Sequence, residues 1–597
     1  MPAASASPTA SPPAPSSPQS ATPQIQRVEF LYTQTPVEGC DLLPYVVVRT
    51  AAGDVKSAEA IEAKTRGALS VQYRWNRCAA TYTCARTSCF KPAAQQFVPL
   101  LKLASARALP PDHFDAVIKQ SFFCSTECMC SSWETLRLYT QKISVSFPAS
   151  EATNALTPDD SALSVRSHFV PNRTEPVFQE PLLNPTNISE VAFIRNYAPT
   201  ADDVGHVLEL VCRYVQRNSD GTVNIGPPVS VRSRAVRTIP PPPPERRMFN
   251  LSTGELYSAK TRRPGTFRVL SYNVLAEIYA NSQAYPHCPS WALSWTYRKR
   301  NLIREMALFD ADVLCLQEIQ ADHFEDHFQP YFARLGYESC FKVKTREAMG
   351  RKGKIDGCAT FFRKEKFALR EQHIVEYNAI AQARTKEPRT LNRCLKGNVG
   401  LILILECLDG SGPLVVANTH LYWDPELTDV KIFQVDAFMH ELEVLFHNRG
   451  LPAGVPFIMA GDLNSEPVSS VYEFLSTGQC SMTKPDMAEE GFENVLSTCR
   501  LSHNLHMRSA YALTGSEPAF TNYTHNFVGV LDYIWFGADS VLPVAILEIP
   551  DERSLFGKEA ETDSEDGIPN AQWSSDHVAL VAEFQLVKRH GLAHGPI

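Results

Sequence analysis

A chain of 597 residues is long enough for about three domains and for a large core that needs no disulfide help. The hydrophobic share of 44% is ordinary for folded protein, and the formal net charge of −8 excludes a globally cationic surface. A polyanionic substrate would therefore be met by a local basic patch or by bound metal ions.

Residues 1–23 are almost entirely Pro, Ala, Ser and Thr, and cannot bury enough apolar area to order themselves. No charged side chain precedes Arg27, so this tail has neither the cationic and apolar regions of a signal peptide nor the arginines of a transit peptide, and the cytoplasm is expected. No apolar run approaches the roughly 20 residues of a membrane helix, so no membrane partner is expected. Residues 24–145 form a Cys-containing region with the strand-like run "LLPYVVVRT". Most of the 16 cysteines stand singly in apolar runs such as "DVLCLQE", which reads as reduced core cysteine. Two close pairs differ: Cys84 with Cys89, and Cys124 with Cys128. Paired spacing of this kind suggests a structural Zn²⁺ site, with metal-free core cysteine as the alternative. Residues 146–239 alternate in strand fashion around polar turns, as in "VAFIRNYAPTADDVGHVLELVCRYVQ", and read as a small β-rich domain. "PPPPP" at 240–244 opens a stiff linker that we extend to residue 265.

From 266 to 588 the texture changes. "FRVLSYN", "ADVLCLQE", "GPLVVANTH", "PFIMAGDLN", "GVLDYIWF" and "SSDHVALVAEF" are short apolar runs, several ending in polar residues. Leu302, Ile303, Met306 and Phe309 fall on one helical face between two of them. Strands alternating with helices imply an α/β fold, with polar strand ends gathered along one rim. Those ends carry Asn273, Glu318, His420, Asp462 with Asn464, Asp532, and Asp576 with His577. Singly, each is an ordinary turn residue. Together they form a set of buried carboxylates that is costly unless paired or metal-bound. Oxygen donors of this kind suit Mg²⁺ or Mn²⁺, and the added imidazoles and amides suit a phosphate-bearing substrate. "YNVLAEIYA" followed by "CPSWALSWTYRKR" reads as a strand whose last residue is an amide, then a loop with two tryptophans, Trp291 and Trp295.

"NVL", "LQE", "NTH", "GDLNS", "LDY" and "SDH", in that order, resemble the endonuclease/exonuclease/phosphatase superfamily. "YNVLAEIYA", "CPSWALSWTYRKR", "DGCATFF", "NTHLYWDP" and "TNYTHNFVGVLDYIWF" resemble its carbon-catabolite-repressor deadenylase branch. The resemblance implies a four-layer α/β sandwich nuclease domain, preceded by the small Cys-rich region and the small β-rich domain. It implies a Mg²⁺-dependent 3′→5′ exoribonuclease that shortens mRNA poly(A) tails and releases 5′-AMP. The alternatives are a same-fold phosphodiesterase or phosphatase acting on 2′,5′-oligoadenylate or a dinucleotide, and a non-catalytic adaptor. On this resemblance Glu318 holds one Mg²⁺ with help from Asn273. Asp462, Asn464 and His577 surround the second metal and the attacking water, should two be used, and Asp576 stands in the metal-side shell. Asp532 orients His577, and His420 donates to a phosphate oxygen. Pro425 and Phe527 clasp the terminal adenine of single-stranded poly(A) RNA. The Trp291–Trp295 loop packs beside the metal rim or simply fills core volume. Cys124, Cys128 and Trp133 resemble the MYND-type finger of plant members, while the first pair departs from it, leaving a degenerate finger to which Cys78 and Cys130 are substitute ligands. Leucine-rich repeats of the fungal and animal forms are missing. A plant-like N-terminal region is the expected contact with a deadenylase complex, in the cytoplasm and also the nucleus or RNA granules.

Overall fold

The computed structural model describes residues 23–31, 35–50, 53–56, 65, 67–83, 92–93, 95–96, 122–123, 182–345, 354–452, 454–480, 501–556 and 567–587. The chain divides into two compact units at Ile239 and Pro240. No helix among the described residues is long and apolar enough to cross a membrane.

The first unit is built from β-strands. Gln24–Phe30, Pro44–Thr50 and Gly53–Lys56 form one antiparallel sheet. In a second sheet, Leu69–Thr83 pairs with Val207–Arg217 on one side and Leu182–Ala192 on the other. The expected boundary at 145/146 therefore separates two partners of one sheet. Their shared core explains why. Trp75 has no exposed surface, stacks near Phe30 at 5.8 Å and Tyr197 at 5.5 Å, and donates from its indole to the Ile194 carbonyl at 2.9 Å. Its walls come from both sides of that boundary. Cys84, Cys89, Cys124, Cys128, Cys130 and Trp133 lie outside the described residues; Cys78 is a buried free cysteine within Leu69–Thr83.

The second unit is a sandwich of two sheets. Its labelled strands are β1 (Arg247–Asn250), β2 (Leu256–Ser258), β3 (Phe267–Asn273), β4 (Val313–Gln320), β5 (Tyr337–Val343), β6 (Asp356–Arg363), β7 (Phe367–Glu376), β8 (Val399–Cys407), β9 (Gly412–His420), β10 (Phe457–Asp462), β11 (Met507–Ser509), β12 (Asp532–Gly537), β13 (Val541–Leu547) and β14 (Leu580–Leu586). Among the described residues, one sheet has the order β2-β1-β13-β14-β3-β4-β6-β5 and the other β7-β8-β9-β10-β12-β11. The segment 240–265, expected to be linker, thus supplies β1 and β2. Met248 in β1 is wholly buried, and that apolar anchor outweighs the flanking prolines.

β3 and β4 are apolar on both faces because both faces are covered. Val269, Val313 and Cys315 point between the sheets, where they meet Leu403, Val416, Ile458 and Phe536. Leu270, Tyr272, Leu314 and Leu316 point outward onto α1 (Trp295–Phe309), through its Leu302, Met306 and Phe309. α1 ends at Asp310, whose φ of 49° stops the helix. On the other outer face, α2 (Thr428–Asn448) and α3 (Ser470–Thr477) cover β9 and β10 through Phe433, Phe438, Met439, Val471 and Phe474. Helix, sheet, sheet and helix make the four layers. The stretch expected to be a loop around Trp291 and Trp295 is instead helical, over Ser290–Leu293 and the start of α1. Both indoles are 6% exposed, and Trp295 lies flat on His323 with ring centroids 3.7 Å apart.

Candidate metal and phosphate site

Strand direction brings the polar residues together. β3 runs parallel to β4, and β9 runs parallel to β10, so both pairs release their C-terminal ends at one rim. β12 is antiparallel to β10 and places Asp532 directly opposite Asp462. β14 is antiparallel to β3, so the segment leading into it, with Asp576 and His577, arrives at the same rim. A Cβ on Gly461 would stand 1.9 Å from the Thr419 carbonyl oxygen, so only glycine lets β10 approach β9 this closely just before Asp462.

Asn273 explains why a buried strand ends in an amide. Its Nδ2 donates to Asp462 Oδ2 at 3.0 Å and to Glu318 Oε1 at 3.3 Å, tying a carboxylate of each sheet to one side chain. Its Oδ1 accepts from the Leu275 N–H at 3.0 Å. Leu275, Glu318 and Asn464 all have left-handed backbones, with φ of 54°, 56° and 46°. Each such residue costs about 1–3 kcal/mol and persists only where its surroundings hold it. The hydrogen bonds that hold them are present. Ala276 N–H donates to Glu318 Oε2 at 2.9 Å, and Asn464 N–H donates to Asp462 Oδ1 at 2.9 Å. The buried Lys431 Nζ donates to the Asn464 carbonyl at 2.7 Å.

His577 Nδ1 lies 2.7 Å from Asp532 Oδ2, which also accepts from Thr521 Oγ1 at 2.7 Å. The ligand atoms of Asp462, Asp532 and His577 lie within 4.8 Å of one another and are all buried. Glu318 and Asp576 stand outside that trio. Glu318 connects to it through the Asn273 amide, and Asp576 turns its Oδ2 to the Tyr285 hydroxyl at 2.7 Å. Asn464 Nδ2 donates to the Leu421 carbonyl at 3.0 Å, which fixes the amide's orientation, and the same nitrogen faces His420 Nε2 at 3.0 Å. His420 Nε2 is then the acceptor, and the ring proton sits on Nδ1.

The charges report the same strain. Burial pushes the Glu318 carboxyl up to about 7, with Lys344 opposing and Asp356 and Asp576 adding to the rise. Burial likewise pushes Asp462 up to about 6, opposed by His577. For His577, burial disfavours the charged ring, but Asp532, Asp576 and Asp462 outweigh it and hold the imidazolium well above its usual range. Burial, Lys344 and His577 drive His420 well below its usual range, so it is neutral. Asp532 Oδ1 and His420 Nδ1 are buried with no hydrogen-bond partner in the protein. Crowded carboxylates with an orphaned oxygen fit a divalent cation, and an orphaned N–H fits an anionic oxygen.

Pro425 is exposed on the loop leaving His420, and Phe527 is half-buried in the turn before Asp532. Neither enters the buried network. A Cβ on Gly529 would stand 2.6 Å from the Phe527 ring, so that glycine leaves room for the ring beside it. Sequence reading missed the supporting groups: Tyr285, Thr521, Lys431 and Arg298. Arg298 sits in "YRKR" with two further basic residues, and only its helical phase beside Leu302 marks it as inward-facing.

The Endonuclease/Exonuclease/phosphatase family matches residues 270–577. Over 615 aligned positions the chain is 33% identical to Carbon catabolite repressor protein 4 homolog 1 of Arabidopsis thaliana, covering 94% of this chain and 98% of that protein. The CCR4-Not complex 3′-5′-exoribonuclease subunit Ccr4 of Schizosaccharomyces pombe is 33% identical over 58% of this chain and 56% of that protein. Among solved structures, ANGEL2, a 2′,3′-cyclic phosphatase, is 29% identical with a TM-score of 0.45, covering 54% of this chain and 96% of that chain. A single similarity runs through both units, and the rim residues fall inside the matched family region: the chain belongs to the carbon catabolite repressor group of the endonuclease/exonuclease/phosphatase family.

Proposed function

We propose that this chain is a Mg²⁺-dependent 3′→5′ exoribonuclease that removes adenylate from mRNA poly(A) tails and releases 5′-AMP. The observation that carries the reading is the Asn273 amide bridging Glu318 and Asp462, beside the Asp532–His577 pair, in a member of a group that includes a 3′-5′-exoribonuclease subunit. A divalent cation supplies charge neutralisation at phosphate and a more acidic water. Glu318 and Asp462 would hold it, with Asp532 Oδ1, Asn464 and Asp576 as the further groups that could assist. The chain's own part is to orient and donate. His577, locked by Asp532 and protonated, presents Nε2 on the Asp462 side, 3.7 Å from Asp462 Oδ2. His420, neutral with its proton on Nδ1, offers that N–H to a phosphate oxygen. Asp462, ionised with the cation bound, would stand beside the attacking water as acceptor for its proton.

Metals and imidazoles read phosphate; the base needs other contacts. Pro425 and Phe527 form the slot for a flat purine, and stacking is worth roughly 1–3 kcal/mol per base. The Ccr4 proteins of several fungi are subunits of a CCR4-Not complex. Docking into such a complex through the first unit, in the cytoplasm, and zinc at Cys84, Cys89, Cys124 and Cys128 complete the proposal. Incubation with oligoadenylate RNA tests it by product analysis. Mg²⁺-dependent 5′-AMP, lost in Asp462→Ala, is expected; 3′-AMP, or equal yield without divalent cation, sinks it.

A further inference from the structure

α1 starts at the rim, and its first two turns grip the chain segments on either side of the metal-type residues. Arg298 has no exposed surface. Its Nε donates to the Ser574 carbonyl at 2.7 Å, and its Nη2 donates to the carbonyls of Val274 at 2.7 Å and Leu275 at 2.5 Å. Asn301 Nδ2 donates to Ser574 Oγ at 3.0 Å, and the Tyr297 hydroxyl donates to the Ala571 carbonyl. Ser575 Oγ closes the circuit by donating to the Asn273 carbonyl at 2.7 Å. One guanidinium thus links the segment that follows Asn273 to the segment that precedes Asp576 and His577.

This link reaches the carboxylates. Leu275 is held in a left-handed conformation, and the turn it makes sets the Ala276 N–H on Glu318 Oε2 at 2.9 Å. The carbonyl of that same strained residue is the one Arg298 grips at 2.5 Å. A buried guanidinium is expensive to desolvate, and burial pulls its proton affinity down against Tyr285 and Asp576. Packing alone would be served by an apolar side chain of similar volume. The planar fork is what spans carbonyls from two segments at once; a lysine ammonium cannot reproduce that geometry.

We propose that Arg298 is a positioning residue for the metal-bearing rim: it holds the Leu275 turn and the Ser574–His577 segment in fixed relation, so that Glu318, Asn273 and His577 face one another. The proposal rests on reading the rim as a metal site. The test compares full-length wild type, Arg298→Lys and Tyr297→Phe, the last keeping the ring of a neighbour whose hydroxyl donates to the Ala571 carbonyl. Mn²⁺ binding is followed by electron paramagnetic resonance and by the metal-induced rise in melting temperature, beside kcat and KM on oligoadenylate. Arg298→Lys is expected to melt cooperatively without metal, to need about tenfold more Mn²⁺ for half-saturation, and to lose kcat with little change in KM, while Tyr297→Phe binds Mn²⁺ as wild type does. Unchanged Mn²⁺ affinity in Arg298→Lys overturns the proposal. So does an equal loss in both variants, which would mean general loosening. Should Arg298→Lys fail to melt cooperatively, Arg298→Gln, which keeps one donor for Ser574, is held to the same criterion. The Mn²⁺ readout needs no RNA, so a wild type that binds Mn²⁺ but cleaves nothing would remove the exoribonuclease reading and leave the role of Arg298 to be decided by affinity alone.

Discussion

Glu318 is a carboxylate that burial makes reluctant to ionise, held at about 7, on a backbone that few non-glycine residues adopt. The sign of its effect follows. Its folded proton affinity is raised above the unfolded value. Its contribution to stability is therefore complete below the unfolded pKa and is lost as pH rises through about 7. A divalent cation needs the ionised form and offsets that loss. The metal-induced rise in melting temperature is thus expected to be larger at about pH 8 than at about pH 5.5, read by calorimetry; a rise that shrinks with pH contradicts the assignment. Glu318→Ala and Asp462→Ala should each lower kcat at least about a hundredfold, about 3 kcal/mol of transition-state stabilisation, with cooperative melting retained. Near-normal turnover by either variant would remove it from the metal set. Phe527→Ala should slow adenylate release through KM and kcat together and narrow the gap between adenylate and other 3′ nucleotides. Retention of both rate and preference would dismiss the stacking slot.

At the scale of elements, the rim is a consequence of two parallel strand pairs, one in each sheet, ending side by side. The sequence displays this clearly, because each run stops at a residue whose chemistry has no place in a core: Asn273 after "FRVLSY", His420 after "GPLVVANT". The helical face of Leu302, Met306 and Phe309 is equally legible from its spacing. What holds the rim in shape is less so. Arg298 looks like its neighbours Lys299 and Arg300 in composition, and Trp295 is placed by His323, His327 and Phe328, which follow β4 in the chain. Left-handed Glu318 carries no local signature, since a distant segment holds it through the Ala276 N–H, whereas Asn464 is of a type that tolerates this backbone and is held by Asp462 two residues earlier. Gly461 offers a direct check on strand approach. Gly461→Ala should lower the melting temperature by several degrees, because its methyl meets the Thr419 backbone at 1.9 Å and cannot rotate away. An unchanged melting temperature would mean that β9 and β10 tolerate separation at the rim.

At the scale of the molecule, the division at Ile239 and Pro240 assigns every rim residue to the second unit. The strands Leu69–Thr83 and Val207–Arg217 are far apart in the chain, and their pairing is not a local pattern, so composition alone places a boundary between them. The second unit begins earlier than its composition indicates for a related reason, since prolines next to a short edge strand read as linker. Residues 240–597 expressed alone should keep Mg²⁺-dependent hydrolysis, measured as 5′-AMP release per chain; inactivity of a cooperatively melting fragment would give the first unit a part in the chemistry. Zinc at Cys84, Cys89, Cys124 and Cys128 is checked by elemental analysis of protein never exposed to chelator, where about one zinc per chain is expected and a trace content favours reduced core cysteine. The rim is proposed to remove adenylate from 3′ ends. The most direct measurement uses 5′-labelled RNA carrying an oligoadenosine tail on a mixed-sequence body, with Mg²⁺ and the full-length chain. A ladder that shortens from the 3′ end and slows at the junction with the body is the expected result; internal cuts, or equal trimming of an RNA ending in mixed sequence, would contradict it.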